Sequence, residues 1–542
     1  MDGNKLMGDA PTRKMSRGGR FFILVAASVV LVSSGCNPNH GRKVSEQERR
    51  TGLAFLSTAS KGPAALHAFL EQFPKGADLH VHLSGAVYAE TFLKDAAEDG
   101  LCVDKVALKL AKPPCGGKQL IAVKELLGNM TPGNQDLYDR LVDAFSMRSF
   151  VATPGFSGHD EFFATFARFS GLNGSHVGEW VDEVASRAAA QNQQYLELME
   201  TPPFGHAAQV AHGIGWIPDM AKMRQALLEK GVLEEVAADR EHVRTAEAQR
   251  RELEHCGAGQ VKAGQVTAAC GVETRYIYQV LRGFPPEQVF AQTLLGFETV
   301  KASMDAHEAG YVGINFVMPE DGYISMRDYE LQMKMVEYLH SIYPQVHISL
   351  HAGELAPGLV PPEGMQFHIR EAVEMGHAER IGHGVDVMYE DRAGQLLKEM
   401  ADRHVMVEIN LSSNEGILGV EGDAHPFPLY RSAHVPVALS TDDEGVSRIE
   451  LTHEYTRAAL DYHLDYQDMK KLARTGMEHN FLPGMSLWAK PDKFEEANAA
   501  CKGEELGGTK PSEGCKRFLD GSEKAAAQWE QERRFREFES RY

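Results

Sequence analysis

The chain has 542 residues, 43% of them hydrophobic, enough to bury the core of one large elaborated domain. Its 76 acidic against 56 basic residues give a formal charge of −20, and no basic patch stands out in the body of the sequence. That balance speaks against nucleic acid as a partner and fits a solvated acidic surface.

At the start of the chain, Arg17 and Arg20 precede an apolar run from Phe21 to Val32, and Ser33-Ser34-Gly35-Cys36 follows. A basic region, a short apolar region and a small-residue site form a secretory signal, too short to span a bilayer comfortably. Cys36 after small residues resembles a bacterial lipoprotein cleavage site, with Ser33 where that pattern usually has Leu. Residues 1–36 are therefore expected to be a signal ending in a lipidated cysteine. The expected location is the periplasm or the cell surface of a bacterium, with membrane contact only through the lipid anchor. Residues 37–75 read as a tether and an N-terminal helical segment, Val44–Phe73, with Leu53, Leu56, Leu66, Phe69 and Leu70 as its apolar stripe. The other cysteines fall close together as Cys102 and Cys115, Cys256 and Cys270, Cys501 and Cys515. Pairing by proximity gives three local disulfides of an oxidising compartment, with other connectivities left open.

From residue 76 short apolar segments alternate with helical periodicity. The expected strands are Ala77–His82, Tyr195–Met199, Thr274–Leu281, Val312–Val317, Val346–His351, Arg380–His383, Val405–Leu411 and Val437–Asp442. Glu287–His307, Tyr329–His340, Met365–Met375 and Arg392–Arg403 read as intervening helices, the first introduced by Pro285-Pro286. This α/β alternation points to a TIM (β/α)8 barrel over 76–483. Residues 94–160 and 205–272 break the spacing as insertions, with helices at Leu137–Met147 and Leu233–His255, the latter read as a solvated charged face. Residues 484–542 read as a polar helical tail ending in Glu523–Glu539.

The chemistry gathers at the strand ends. In Asp78-Leu79-His80-Val81-His82, alternate residues of a strand share a side, so both imidazoles converge at the catalytic mouth of a barrel. His351-Ala352-Gly353-Glu354, Ile381-Gly382-His383-Gly384 and Ser440-Thr441-Asp442-Asp443 close three later strands in the same way. Imidazoles and carboxylates in this number suit a zinc-like ion, which activates water for attack. Gly353, Gly382 and Gly384 allow close approach around these groups. His377 reads as a helix-end histidine, His425-Pro426 as a loop former, Glu408 as a buried structural acid, and Asn414 as a candidate pocket residue.

The motifs HVHLSGA (80–86), SLHAGE (349–354), RIGHG (380–384) and STDD (440–443) resemble, in order, those of the adenosine deaminases of the amidohydrolase superfamily. The resemblance spans roughly residues 70–480, and Tyr195-Leu196-Glu197-Leu198 is similar to the family's second strand. It implies a metal-dependent hydrolase barrel with one zinc ion per chain, held by His80, His82, His351 and Asp442. It implies that Glu354 protonates a purine ring nitrogen, that His383 orients the attacking water and takes its proton, and that Asp443 binds the other ring edge. The implied reaction is deamination of adenosine or 2′-deoxyadenosine, a small-molecule purine nucleoside being the partner.

Two positions depart from the family pattern at the substrate. Ser84 stands where the family usually carries an acid for the ribose 5′-hydroxyl, and Met318 replaces a glycine whose amide meets the purine. They keep open deamination of adenine or of a modified adenine nucleoside. A catalytically vestigial binding or signalling protein is the alternative of another class, against which the complete ligand and acid–base set argues. Glu320-Asp321-Gly322, the N-terminal helix, the cysteine-bearing insertion and export are similar to the secreted, growth-factor-like branch, and by that analogy alone a homodimer is expected.

Overall fold

The computed structural model describes residues 44–172, 174–257 and 267–542. The signal and Cys36 lie outside the described residues. Eight strands run in one parallel sheet: β1 Gly76–His82, β2 Gln193–Glu200, β3 Glu273–Leu281, β4 Tyr311–Val317, β5 His347–Ala352, β6 Arg380–His383, β7 Met406–Ile409 and β8 Val437–Leu439. Neighbours in sequence are neighbours in the sheet. A parallel bridge between Val81 and Asp442 closes the last strand onto the first, with Asp442 N donating to His80 O at 2.8 Å. The sheet is the TIM barrel expected from the alternation.

The strand ends explain two differences from the sequence reading. The apolar run to Leu411 overshoots β7, because Leu411 opens the helix Leu411–Leu418 and is buried there as a helical residue. β8 stops at Leu439, and the chain reaches Asp442 with φ 61°, a left-handed conformation no strand contains.

Around the barrel, helix Pro286–Asp305 starts on the proline expected of it, and helix Tyr466–Glu478 on a capping box of Asp465 and Asp468. The N-terminal segment is two helices, Glu46–Ala59 and Pro63–Glu71, broken where Gly62 takes φ 107° before Pro63. The stripe is rotated in the first: Thr51 and Phe55 are buried, whereas Leu53 and Leu56 are each 55% exposed. Helix Val236–Leu253 is not solvated all round, since Val243, Ala246 and Arg250 are buried and Arg250 pairs with Glu247 and Glu254. The C-terminal helix Glu523–Glu539 packs under the barrel through Phe535 and Phe538, with Arg474 forked onto Glu532 at 2.6 and 3.0 Å.

The first insertion packs with its flanking helices on a second hydrophobic cluster that includes Phe92, Leu93, Leu141, Phe145, Phe162 and Phe169 and reaches Ile417 and Val446. It holds a three-stranded antiparallel sheet centred on Cys102–Asp104 and ends in helix Gly158–Phe169, capped by Ser157 and Asp160. The structure bonds Cys102 to Cys115, Cys256 to Cys270 and Cys501 to Cys515.

A buried polar column runs beside the apolar filling of the barrel, to which Met199, Ile277 and Met406 contribute. Arg380 pairs with Glu197 at 2.6 Å and with Glu408 at 2.7 Å, all three fully buried, and stands 3.8 Å over the Phe481 ring. Arg380→Met would strand two buried carboxylates without their cation. We expect it to cost about 3–5 kcal/mol in denaturant unfolding, the usual effect of removing one partner of a buried ion pair.

Candidate active site

The column leads to the catalytic mouth. Glu408 takes a hydrogen bond from His80 Nδ1 at 2.6 Å. A carboxylate only accepts, so the His80 proton sits on Nδ1 and the Nε2 lone pair points away. Asn315 Oδ1 accepts both the backbone N–H of His351 at 3.2 Å and its Nδ1 at 2.7 Å, which fixes the same tautomer there. Gln279 Oε1 holds His82 Nδ1 at 2.6 Å. Three imidazoles thus present bare Nε2 atoms to one point. Glycine at 382 makes this possible, because a Cβ there would lie 2.6 Å from His80 Cε1.

The donor atoms of His80, His82, His351 and Asp442 lie within 4.8 Å of one another. His82 Nε2 is 3.1 Å from His351 Nε2 and 3.3 Å from Asp442 Oδ1, and His80 Nε2 is 3.6 Å from that oxygen. Two unprotonated nitrogens at such a distance repel unless a cation lies between them. Ligand bonds of about 2.0–2.1 Å set the edge of a tetrahedron near 3.4 Å, which these separations match. His80 Nε2 is buried without a hydrogen-bond partner. Burial opposes charge on His80, yet Asp442 and Glu408 push its pKa up to about 10, so the flanking carboxylates call for a positive charge at Nε2. The residues present fit a zinc-like ion. Asp442 is further held by Ser413 Oγ at 2.6 Å.

Glu354 faces the same space, 3.6 Å from His383 Nδ1, with its backbone N–H held by Glu320 at 2.8 Å. Burial, with the Asp442 charge added, raises its pKa well above the ordinary carboxylate value, which favours the protonated acid. Asp443 is raised by the same two causes, and its Oδ1 has no partner among the described residues. Burial lowers His383 to about 4, leaving a neutral ring.

A relay fixes the His383 tautomer. The backbone N–H of Phe427 donates to His425 Nδ1 at 3.1 Å, so the His425 proton is on Nε2 and goes to Asn414 Oδ1 at 3.0 Å. Asn414 Nδ2 then donates to His383 Nδ1 at 2.9 Å, which leaves an N–H at His383 Nε2. Asn414 is therefore a buried support of His383 rather than a pocket wall, and His425 does more than shape its loop. Met318, His383 and Asp442 have φ of 94°, 69° and 61°, strained conformations gathered at one site.

The cavity over these groups measures about 420 Å³, within the range of small-molecule sites. His82, His351, Glu354, His383, Asp442 and Asp443 form its floor, and Ser84 and Met318 lie on its wall. Phe162, Phe163 and Phe166 of the inserted helix close one side. Sequence reasoning missed this aromatic wall, whose signal was the Ser157 cap followed by phenylalanines at helical spacing. It also missed Gln279 and Asn315, which look like ordinary strand residues. Asn315→Ala is expected to weaken metal affinity about 10–100-fold, the usual cost of losing such a support, in competition with a chromophoric chelator.

The adenosine deaminase family model matches residues 258–487. An adenosine deaminase of Clostridium perfringens is 29% identical over 187 residues, 34% of this chain and 51% of the relative. One from Escherichia coli is 38% identical over 137 residues, 25% of this chain and 38% of the relative. The match thus spans about half or less of these relatives. Among solved structures, the adenine deaminase of Arthrobacter aurescens has a TM-score of 0.47 at 18% identity, covering 76% of this chain and 94% of that one. The N6-methyl-AMP deaminase of Arabidopsis thaliana has a TM-score of 0.48 at 21% identity, covering 77% and 94%. His351, Glu354, His383, Asp442 and Asp443 fall inside the matched segment, and His80 and His82 precede it. Residues 258–487 are thus similar to the adenosine deaminase family.

Proposed function

We propose that the chain hydrolyses adenosine and 2′-deoxyadenosine to inosine and 2′-deoxyinosine with release of ammonia. The observation that carries this reading is the placement, in one cavity, of a three-imidazole, one-carboxylate cation site and the buried carboxyl of Glu354 beside it. Zinc suits the donor set, with His80, His82, His351 and Asp442 holding it. When bound, the ion lowers the pKa of the water nucleophile from about 15.7 towards 7.

The chain's own residues supply the rest. Glu354 gives its proton to the ring nitrogen beside the amino-bearing carbon, which makes that carbon electrophilic. His383 presents an N–H at Nε2, so it donates to the attacking oxygen rather than taking the proton there. Asp442 Oδ2, 3.7 Å from that nitrogen, is the neighbouring acceptor for the proton the water loses. That proton leaves with the amine as ammonia, and Glu354 recovers its own from the new hydroxyl, leaving the carbonyl. Asp443, whose pKa burial raises, donates to a second ring nitrogen when it is protonated.

Ser84 and Met318 favour a second reading, deamination of adenine or a modified adenine nucleoside. Ser84 offers a hydroxyl where a carboxylate would bind the ribose more strongly. Among the described residues no Lys or Arg lines the cavity to pair with a 5′-phosphate. A panel of adenosine, 2′-deoxyadenosine, adenine and AMP tests these readings by ultraviolet absorbance. We expect the nucleosides fastest and AMP slowest, whereas adenine ahead of adenosine would select the second reading.

A further inference from the structure

A second group of ligand-type side chains lies on the flank of the fold, apart from the cavity. Helix Ala89–Glu98 contributes Asp95 and Glu98, the turn Gly174–His176 contributes His176, and helix Val177–Ala190 contributes Glu179. Their donor atoms lie within 4.8 Å of one another. Asp95 is fully buried and His176 is 6% exposed.

Both buried members are held from behind and bare in front. Trp180 Nε1 donates to Asp95 Oδ2 at 2.8 Å, and Asp95 Oδ1 has no hydrogen-bond partner among the described residues. His176 Nε2 faces the Asp99 carboxylate at 3.2 Å, which places a proton on Nε2, and Nδ1 has no hydrogen-bond partner among the described residues. Nδ1 points at Glu179 Oε1, 3.5 Å away, and at Asp95 Oδ1, 3.8 Å away. Those distances are too long for a good hydrogen bond, so a proton on Nδ1 would not satisfy the group. They approach the ligand–ligand edge of about 3.4 Å expected for zinc-like bonds, as the separations at the barrel mouth do. Outer partners that orient each ligand are a recurrent feature of metal sites.

We propose that Asp95, His176 and Glu179, with Glu98 at the rim, form a second divalent-cation site of zinc-like chemistry. The ion clamps helix Ala89–Glu98 to helix Val177–Ala190. Lys94 supplies the counter-charge without it, its Nζ lying 3.0 Å from Glu179, 3.6 Å from Glu98 and 3.7 Å from Asp95. The Lys94 side chain is 57% exposed, so it can swing into water as the ion binds. The clamp also bears on the cavity wall. Phe92 of the clamped helix stacks at 4.5 Å on Phe169, the last residue of the helix that carries Phe162, Phe163 and Phe166.

The test is zinc bound per chain, from equilibrium dialysis and elemental analysis of the full-length protein and its variants. His176→Gln is expected to bind one ion fewer than the parent, while the ion lost in His82→Ala is a different one. Lys94→Gln is expected to bind the flank ion about tenfold more tightly, because a like charge leaves its shell. Cobalt-loaded His82→Ala is expected to keep a tetrahedral visible spectrum that Glu179→Gln, a change on a partly exposed helix face, weakens. If His176→Gln does not fold, the Lys94→Gln and Glu179→Gln affinities decide. A zinc count unchanged in folded His176→Gln, or an affinity indifferent to both Lys94→Gln and Glu179→Gln, overturns the proposal.

Discussion

Replacing Glu354 by glutamine is expected to lower kcat about a thousandfold, the scale of a lost general acid, while the fold and metal content persist. Glutamine keeps the shape and the backbone hydrogen bond to Glu320 but has no acidic proton to give. The loss belongs in kcat, because protonation of the ring nitrogen matters most as the aromatic system is broken. KM is expected to change little. A rise confined to KM, with kcat unchanged, would make Glu354 a binding group and remove it from the chemistry.

The second large effect is expected at the cation. Dialysis against a chelator is expected to abolish activity, and added zinc to restore it. In His82→Ala, zinc is expected not to restore it. His82 has 13% of its side chain exposed, against none of His80, so its loss is the gentler way to open the ligand set. Chelated wild type is also expected to unfold at a lower temperature, since an ion that binds only the folded chain stabilises it by mass action. Activity that survives exhaustive chelation would contradict the role given to the four ligands.

The parts of this site that could be read from sequence are those governed by local periodicity. His80 and His82 share a side because a strand alternates, and each later cluster closes a strand whose apolar run marks its end. The strands themselves were legible for the same reason, and their boundaries erred where an apolar residue opens the next helix, as at Leu411. The supports were not legible. Glu408 meets His80 across 328 residues of chain, and nothing around Glu408 sets it apart from any buried acid until β7 and β1 face each other in the closed barrel. The relay from Phe427 through His425 and Asn414 is equally tertiary. It bears on which His383 nitrogen carries the proton, because a tautomer depends on partners that no motif specifies. The rotated face of helix Glu46–Ala59 and the buried face of helix Val236–Leu253 have a related cause. Both carry mixed stripes, and which one is buried depends on the neighbour that covers it.

The measurement that tests the central claim most directly is ammonia release from adenosine by the intact, zinc-loaded chain, with inosine followed in the same sample. The account predicts equal amounts of ammonia and inosine, formed by the parent and nearly absent with Glu354→Gln. A folded, zinc-loaded chain that releases no ammonia from adenosine, 2′-deoxyadenosine, adenine or AMP would contradict it.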